Sequence, residues 1–236
     1  LLHNAEAAVR RARQSVEPRV FYAPEHNARA AEALGLESRL RRAIERREFV
    51  LHYQPKVDLV SRRIVGLEAL IRWQDPERGL VPPGSFIPVL EECGLIGAVG
   101  EWALDHALAQ QRAWVEQGLR APRVAVSVSP LQLRPAGFVD AIGALLERHG
   151  GAALELEITE SVIMDHVERN IAAIARLRSL GVSVAVDDFG TGYCSLAYIA
   201  KLPVQSLKVD RAFVLGMTEG PEGLAIVSSI IALAHS

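Results

Sequence analysis

The stretch Val182-Ser-Val-Ala-Val-Asp187-Asp188-Phe-Gly190-Thr-Gly192-Tyr193 places two adjacent carboxylates at the end of an alternating apolar run, just before a glycine loop. Alternation puts Val182, Val184 and Val186 on one face of a strand, and Ser183, Ala185 and Asp187 on the other. Valines on one side and small residues on the other suit a barrel wall with helices packed outside and little room within. Asp187 then points inward at the strand's C-terminal end, and Asp188 lies at the rim. Neighbouring like charges repel, and a hard cation between oxygen ligands is one reason to place them together. An Asx-type turn leading into the glycines is the other.

The same parity, applied to every strand candidate, finds more polar groups. Strands are predicted at 49–57, 64–71, 123–128, 154–159, 182–187 and 205–209. Val65, Leu67 and Ala69 face outward on the second, leaving Gly66, Glu68, Leu70 and Arg72 inward. The third turns Ala125, Ser127 and Ser129 inward, the fourth Glu155 and Glu157, and the sixth Ser206, Lys208 and Asp210. One register therefore sets Glu68, Ser127, Glu157, Asp187 and Lys208 at comparable depth, as a polar ring at the mouth where barrels keep their chemistry. Glu155 reads as the partner of a basic neighbour, and Asp210 as a mate for Lys208 or the helix that follows.

These strands need helices to hold them. Helical patterns occupy 85–117 (in two pieces around Gly94–Gly97), 136–149, 167–180 and 222–235, with a shorter turn at Ser195–Ala200. The alternation implies βα units and a largely parallel sheet. The Leu59–Arg63 link is too short for a crossover helix, so the first two strands are expected to be antiparallel. A doubly wound open sheet has no need of a polar inward face on every strand, so the barrel is preferred.

The chain has 236 residues, half of them hydrophobic, a formal charge of −2 and a pI near 6.4. That gives a large core and no electrostatic footprint for duplex nucleic acid. Cys93 and Cys194 fit no metal or disulfide spacing, and a reducing, cytoplasmic setting is expected. The most apolar run, beginning at Leu224, is too short to span a membrane. Residues 1–16 pattern as an amphipathic helix, Val20–Tyr22 as a short strand, and Asn27–Arg47 as a helix whose arginines form a solvated face. His52 reads as a wall residue, Trp73 as core or as the flank of a base pocket, and Ser85 as the cap of the following helix. A chain opening on Leu1 is expected to be a piece of a longer protein.

Enough residues are now in place for a resemblance. Glu68-Ala69-Leu70, within Ile64–Trp73, resembles the signature of EAL domains, the cyclic-di-GMP phosphodiesterases. Tyr53-Gln54-Pro55, Glu157-Ile-Thr-Glu160-Ser161, the Asp187–Tyr193 stretch, and Leu202-Pro203 with Leu207-Lys208-Val209-Asp210 follow in the family's order. Residues 1–26 resemble the end of an upstream GGDEF-like domain; 27–48 would then be a linker helix and 49–236 the EAL domain. The resemblance implies a (β/α)8 TIM-like barrel variant with one antiparallel strand. Its last two β/α units, with a further metal-binding Glu, would follow Ser236.

It also implies roles. Glu68, Glu157 and Asp187 match metal-binding carboxylates, and Asp188 matches the ligand of a second Mg²⁺ or Mn²⁺, with Ca²⁺ inhibitory. Ser127 stands where the family has a metal-binding Asn, and its shorter hydroxyl is the poorer donor. Lys208 matches the lysine that holds the attacking water, Glu160 the brace of the 188–193 loop, and Arg72, Leu70 and Gln54 substrate contacts. Cys194 replaces a usual Ser. The implied reaction is metal-dependent hydrolysis of cyclic di-GMP to linear pGpG in bacterial signalling. A homodimer is implied, with an upstream GGDEF-like or sensor domain through which the full-length protein could be membrane-anchored. The rival from another class is a cyclic-di-GMP receptor without turnover, which Ser127 favours. A Schiff-base lysine comes last, because surrounding carboxylates keep Lys208 protonated.

Overall fold

The computed structural model describes residues 24–164, 167–190 and 202–235. The predicted helix 1–16, the strand Val20–Tyr22, all but the last three residues of the GGDEF-like segment 1–26, Cys194 and the turn Ser195–Ala200 lie outside the described residues. The chain divides into two compact units, one of residues up to Val50 with Arg72–Leu95, the other of Leu51–Ile71 with Ile96–Ser236. Two strands, β1 (Phe49–Val57) and β2 (Ile64–Asp75), pass through both.

The second unit holds an α/β wall. After β1 and β2 come β4 (Arg123–Ser127), β5 (Leu154–Thr159), β6 (Ser183–Phe189) and β7 (Ser206–Val209), neighbours in that order. From β2 to β7 every adjacent pair is parallel. The β1–β2 hairpin closes with Asp58 N–H donating to Arg63 O at 2.9 Å, and the far ends of the two strands meet where Gln74 N–H donates to Glu48 O at 2.8 Å. That pairing is antiparallel, as the short link requires. Among the described residues the strand path runs from β1 to β7 without closing. This is the (β/α)8-type architecture with one antiparallel strand.

Helices cover the outward face. They are α3 (Ile96–Glu116), α5 (Phe138–Arg148), α7 (Val167–Ser179) and α9 (Pro221–Ala234), with the short α4 (Pro130–Leu133), α6 (Glu160–Met164) and α8 (Arg211–Gly216) at strand ends. Val124, Val126, Leu154, Leu156, Ile158, Val184 and Val186 form one buried cluster with Leu104, Leu108, Ile142, Leu145, Ile174 and Leu177 from the helices. Ala125 and Ala185 are equally buried but stand outside that cluster, as residues of the opposite face must. Each large aliphatic side chain so buried contributes about 1.5–3 kcal/mol, which fixes the parity of the strand. Gln111, 3% exposed, ties α3 to the wall by donating from Nε2 to Pro122 O and Ala153 O.

The first unit contains α1 (Pro24–Glu45), β3 (Gly79–Val81), a 3₁₀ turn (Pro83–Ser85) and α2 (Ile87–Glu92). After Trp73 the chain turns through residues 76–78 and returns as β3, which pairs antiparallel with β2, Trp73 opposite Val81 and Asp75 opposite Gly79. Trp73 is 1% exposed and packs edge-on against Phe86, so it is a core residue. Ser85 does not cap α2: the 3₁₀ turn intervenes and Phe86 takes the N-cap position with no side-chain cap. Nor is Arg39 part of a purely solvated face, since its guanidinium pairs with Asp75 and lies 5.2 Å over the Trp73 ring.

Candidate active site

Register alone does not bring the predicted ring together. Glu68 lies opposite Ala125, and Ala125 opposite Glu155; Ser127 lies opposite Glu157, and Thr159 opposite Asp187. A tilted barrel wall displaces each level by about one residue per strand, and a layer is filled from alternate strands. Glu68 on β2, Glu157 on β5 and Lys208 on β7 form such a layer. The ring is therefore stepped rather than level with the strand pairing.

Lys208 is its centre. Its ammonium donates to Glu157 Oε2 at 2.5 Å and Glu68 Oε2 at 3.4 Å, and Asp187 Oδ1 is 3.1 Å away. Burial alone would lower this lysine's pKa, but the hydrogen bond and charge of Glu157, then the charges of Asp187 and Glu68, outweigh it and raise it. A lysine whose protonated form is favoured in this way can hold a water or neutralise a phosphoryl oxygen, and is a poor neutral amine nucleophile. Burial raises the pKa of Glu68, reinforced by the charge of Glu157 and opposed by Lys208. Burial also raises Asp188, with the charges of Asp187 and Asp210 adding to it.

A second lysine, not anticipated from the sequence, completes the cluster. Lys56 on β1 donates to Glu155 Oε1 at 2.6 Å and to Glu157 Oε1 at 2.7 Å. Burial would lower its pKa, and the hydrogen bonds to Glu155 and Glu157 more than reverse that. Glu155 thus has the basic partner expected of it. The Glu157 side chain, fully buried, has one oxygen on each lysine. Alternation on β1 would have found Lys56, since it shares a face with Gln54.

The rim is built by a break in the strand. Register shifts between Val186 and Phe189, and Asp188 takes a left-handed backbone with φ 51°. Such a bulge re-aims a side chain, and Asp tolerates the conformation better than most residues. Asp188 is exposed beside half-buried Asp187. Buried Glu160, at the start of α6, accepts from Gly190 N–H at 3.0 Å and so anchors the beginning of the glycine loop. Residues 191–193 of that loop lie outside the described residues. Asp210 caps α8 by accepting from Ala212 N–H at 2.7 Å. Ser127 and Gln54 are exposed, Leu70 is half-buried on the Glu68 face of β2, and Arg72 lies further along β2 within the first unit.

Does this donor set fit a divalent cation? Among the described residues, Glu68, Glu157 and Asp187 share Lys208, and Glu155 and Glu157 share Lys56. Burial first, then the charge of neighbouring carboxylates, raises Glu68 and Asp188. Anionic oxygens are the donors Mg²⁺ and Mn²⁺ take. The chemistry fits. Among the described residues, however, no three acidic, His or Cys side chains form a ready cage, because the carboxylates close around Lys208. A cation has to compete with that ammonium for the same oxygens.

Comparison with known proteins bears on what the cluster serves. Residues 37–236 match the model of the EAL domain. The bifunctional diguanylate cyclase/cyclic di-GMP phosphodiesterase MucR of Pseudomonas aeruginosa is 42% identical over the whole chain, which covers 35% of MucR. The cyclic di-GMP phosphodiesterase PdeR of Escherichia coli is 37% identical over 91% of the chain, which covers 32% of PdeR. The chain thus spans about a third of the length of these curated relatives. A solved structure described as the PaMucR phosphodiesterase in complex with c-di-GMP superposes with a TM-score of 0.81 at 43% identity, over 85% of this chain and 82% of that one. With its wall, its acidic strand ends and these relatives in agreement, the chain belongs to the EAL domain family.

Proposed function

We propose that this domain hydrolyses cyclic di-GMP to linear pGpG, with the Lys208 cluster as the catalytic centre. The observation that carries the reading is the convergence of Glu68, Glu157 and Asp187 on one protonated lysine at the C-terminal ends of parallel strands. It is supported by likeness to cyclic-di-GMP phosphodiesterases. In the reaction a water oxygen bonds to phosphorus, the P–O3′ bond breaks, and the freed 3′-oxygen takes a proton. Little covalent work falls to the protein, so positioning and charge stabilisation suffice.

Glu68, Glu157, Asp187 and Asp188 would hold Mg²⁺ or Mn²⁺, with Ser127 a weak further donor. Such ions, when bound, activate water and neutralise phosphoryl charge. Lys208 donates hydrogen bonds toward the attacking water or a phosphoryl oxygen. Arg72, a planar donor further along β2, suits a phosphate. Leu70 and Gln54 would line the dinucleotide, and Glu160 holds the first turn of the rim loop.

The test is incubation of the purified protein with cyclic di-GMP and Mg²⁺ or Mn²⁺, with pGpG separated chromatographically. Turnover is expected, and Lys208→Ala should lower kcat by at least about 10³-fold while leaving dinucleotide binding in place. One observation favours a receptor instead: Ser127, opposite Glu157, is exposed and offers only a hydroxyl. Tight binding with no pGpG in either metal would establish the receptor and reject the hydrolase.

A further inference from the structure

Lys56 has no place in the mechanism above, yet the fold is shaped around it. To reach Glu155 and Glu157 on β5, its side chain starts on β1 and must pass β2 and β4. Gly66 opens the way on β2: a Cβ there would meet Lys56 Cδ at 3.3 Å. Ala125, level with Glu68 and Glu155, keeps the next strand low. The ammonium then takes Glu157 Oε1, while Lys208 takes Oε2. The Glu157 carboxylate is fully buried, while the side chains of Lys56 and Lys208 stay partly exposed.

We infer that Lys56 is a specificity-determining residue for the metal: by occupying Oε1 it confines Glu157 to one oxygen toward any cation on the Lys208 side. This rests on the phosphodiesterase reading and its divalent ions. Ca²⁺ takes six to eight oxygens and uses carboxylates in bidentate fashion, whereas Mg²⁺ takes fewer, in a strict octahedron. Denying the second oxygen therefore handicaps Ca²⁺ more than Mg²⁺. Lys56 is a positioning residue in this role and touches neither substrate nor the reacting phosphorus.

The measurement is calorimetric titration of Mg²⁺ and of Ca²⁺ into wild type, Lys56→Met and Lys56→Arg, without substrate. Methionine keeps an apolar stem of similar length and removes the donor; arginine keeps a donor on Oε1. Loss of a positive charge strengthens every cation, so the ratio of the two affinities is the readout. In Lys56→Met the preference should shift toward Ca²⁺ by about tenfold, the lower end for groups that hold a metal ligand from behind. Lys56→Arg should restore the wild-type ratio. Equal gains for both ions would reduce Lys56 to a local charge and overturn the inference, as would parallel losses. If Lys56→Met does not fold, Gly66→Val, which crowds the stem while keeping the ammonium, must shift the ratio the same way, and an unchanged ratio there overturns it as well. Wild type that binds neither ion and makes no pGpG removes the phosphodiesterase reading itself; wild type that binds and turns over, with an unmoved ratio, removes only the role of Lys56.

Discussion

Asp75 in the first unit and Glu68 in the second are both acidic residues of β2 with a cationic partner, and their ionisation is pushed in opposite directions. Asp75 is 3% exposed; burial would raise its carboxyl, but the backbone N–H groups of Glu77 and Arg78, and then Arg39, bring it below the usual carboxylate range. Those N–H donors sit 2.8 and 3.1 Å from Oδ1, while Arg39 takes Oδ2. Glu68 has one long contact to Lys208, at 3.4 Å, and is raised by burial and by the charge of Glu157. Both oxygens of Asp75 are matched: Oδ1 to the N–H groups that close the β2–β3 turn, and Oδ2 to Arg39 of α1. Glu68 shares its lysine with two other carboxylates. A satisfied carboxylate stabilises the fold, whereas a crowded one keeps charge available for a ligand, at some cost in stability.

The two carboxylates should differ most in how the protein tolerates their substitution. Asp75→Ala should cost about 2–3 kcal/mol of stability, because it removes the shared acceptor of two turn N–H groups and of a guanidinium mostly buried over Trp73. Chemical denaturation measures the loss, and kcat of the folded fraction should stay at the wild-type value. Lys208→Ala should do the reverse. If Asp75→Ala abolished turnover in folded protein, the division between a structural and a chemical carboxylate would be wrong.

Acid sharpens the contrast. A carboxyl with a depressed folded pKa adds stability that is complete above the unfolded value, about 3.9 for Asp, and disappears as pH falls through the folded value. The stability gap between wild type and Asp75→Asn should thus be full at pH 6 and narrow below about pH 4. Urea unfolding at stepped pH measures it. A gap that widened toward acid would reverse the sign assigned to Asp75.

The two sites also differ in how much of each was readable before the fold was known. The polar layer was readable because Val124, Val126, Leu154, Leu156, Val184 and Val186 alternate strictly, so the inward residues follow by parity. Which inward residues meet was not, since strand tilt moves Glu157, two positions beyond the register partner of Ala125, into the layer of Glu68. Lys56 was missed because a lysine on a first strand reads as a solvated cation; its partners lie 99 and 101 residues away in sequence. Asp75 escaped notice for a related reason. Its role depends on β3, a strand of three residues, and on Arg39 from a helix whose arginines pattern as an exposed face. Local pattern gives faces of elements; pairings across them are set by packing.

The smallest effect is the most direct probe of the crowded site. Glu68 carries a raised folded pKa, so its ionisation opposes folding: the cost is absent below the unfolded value, about 4.3, and grows as pH rises through the folded one. Glu68→Gln keeps the shape of the side chain and removes the charge from beside Glu157. In chelator, so that no cation masks the repulsion, it should stabilise the protein at pH 7 by about 1 kcal/mol, or about 3 °C in Tm for a chain of this length. As pH falls below the unfolded value the gain should shrink toward zero, because the carboxyl is then protonated in the folded and the unfolded states alike. Turnover should be lost at every pH. Differential scanning calorimetry of the two proteins at pH 7 and below the unfolded value decides it. A Tm that falls at pH 7 would mean that the contact with Lys208 outweighs the repulsion, and Glu68 would then be a satisfied carboxylate of the same kind as Asp75.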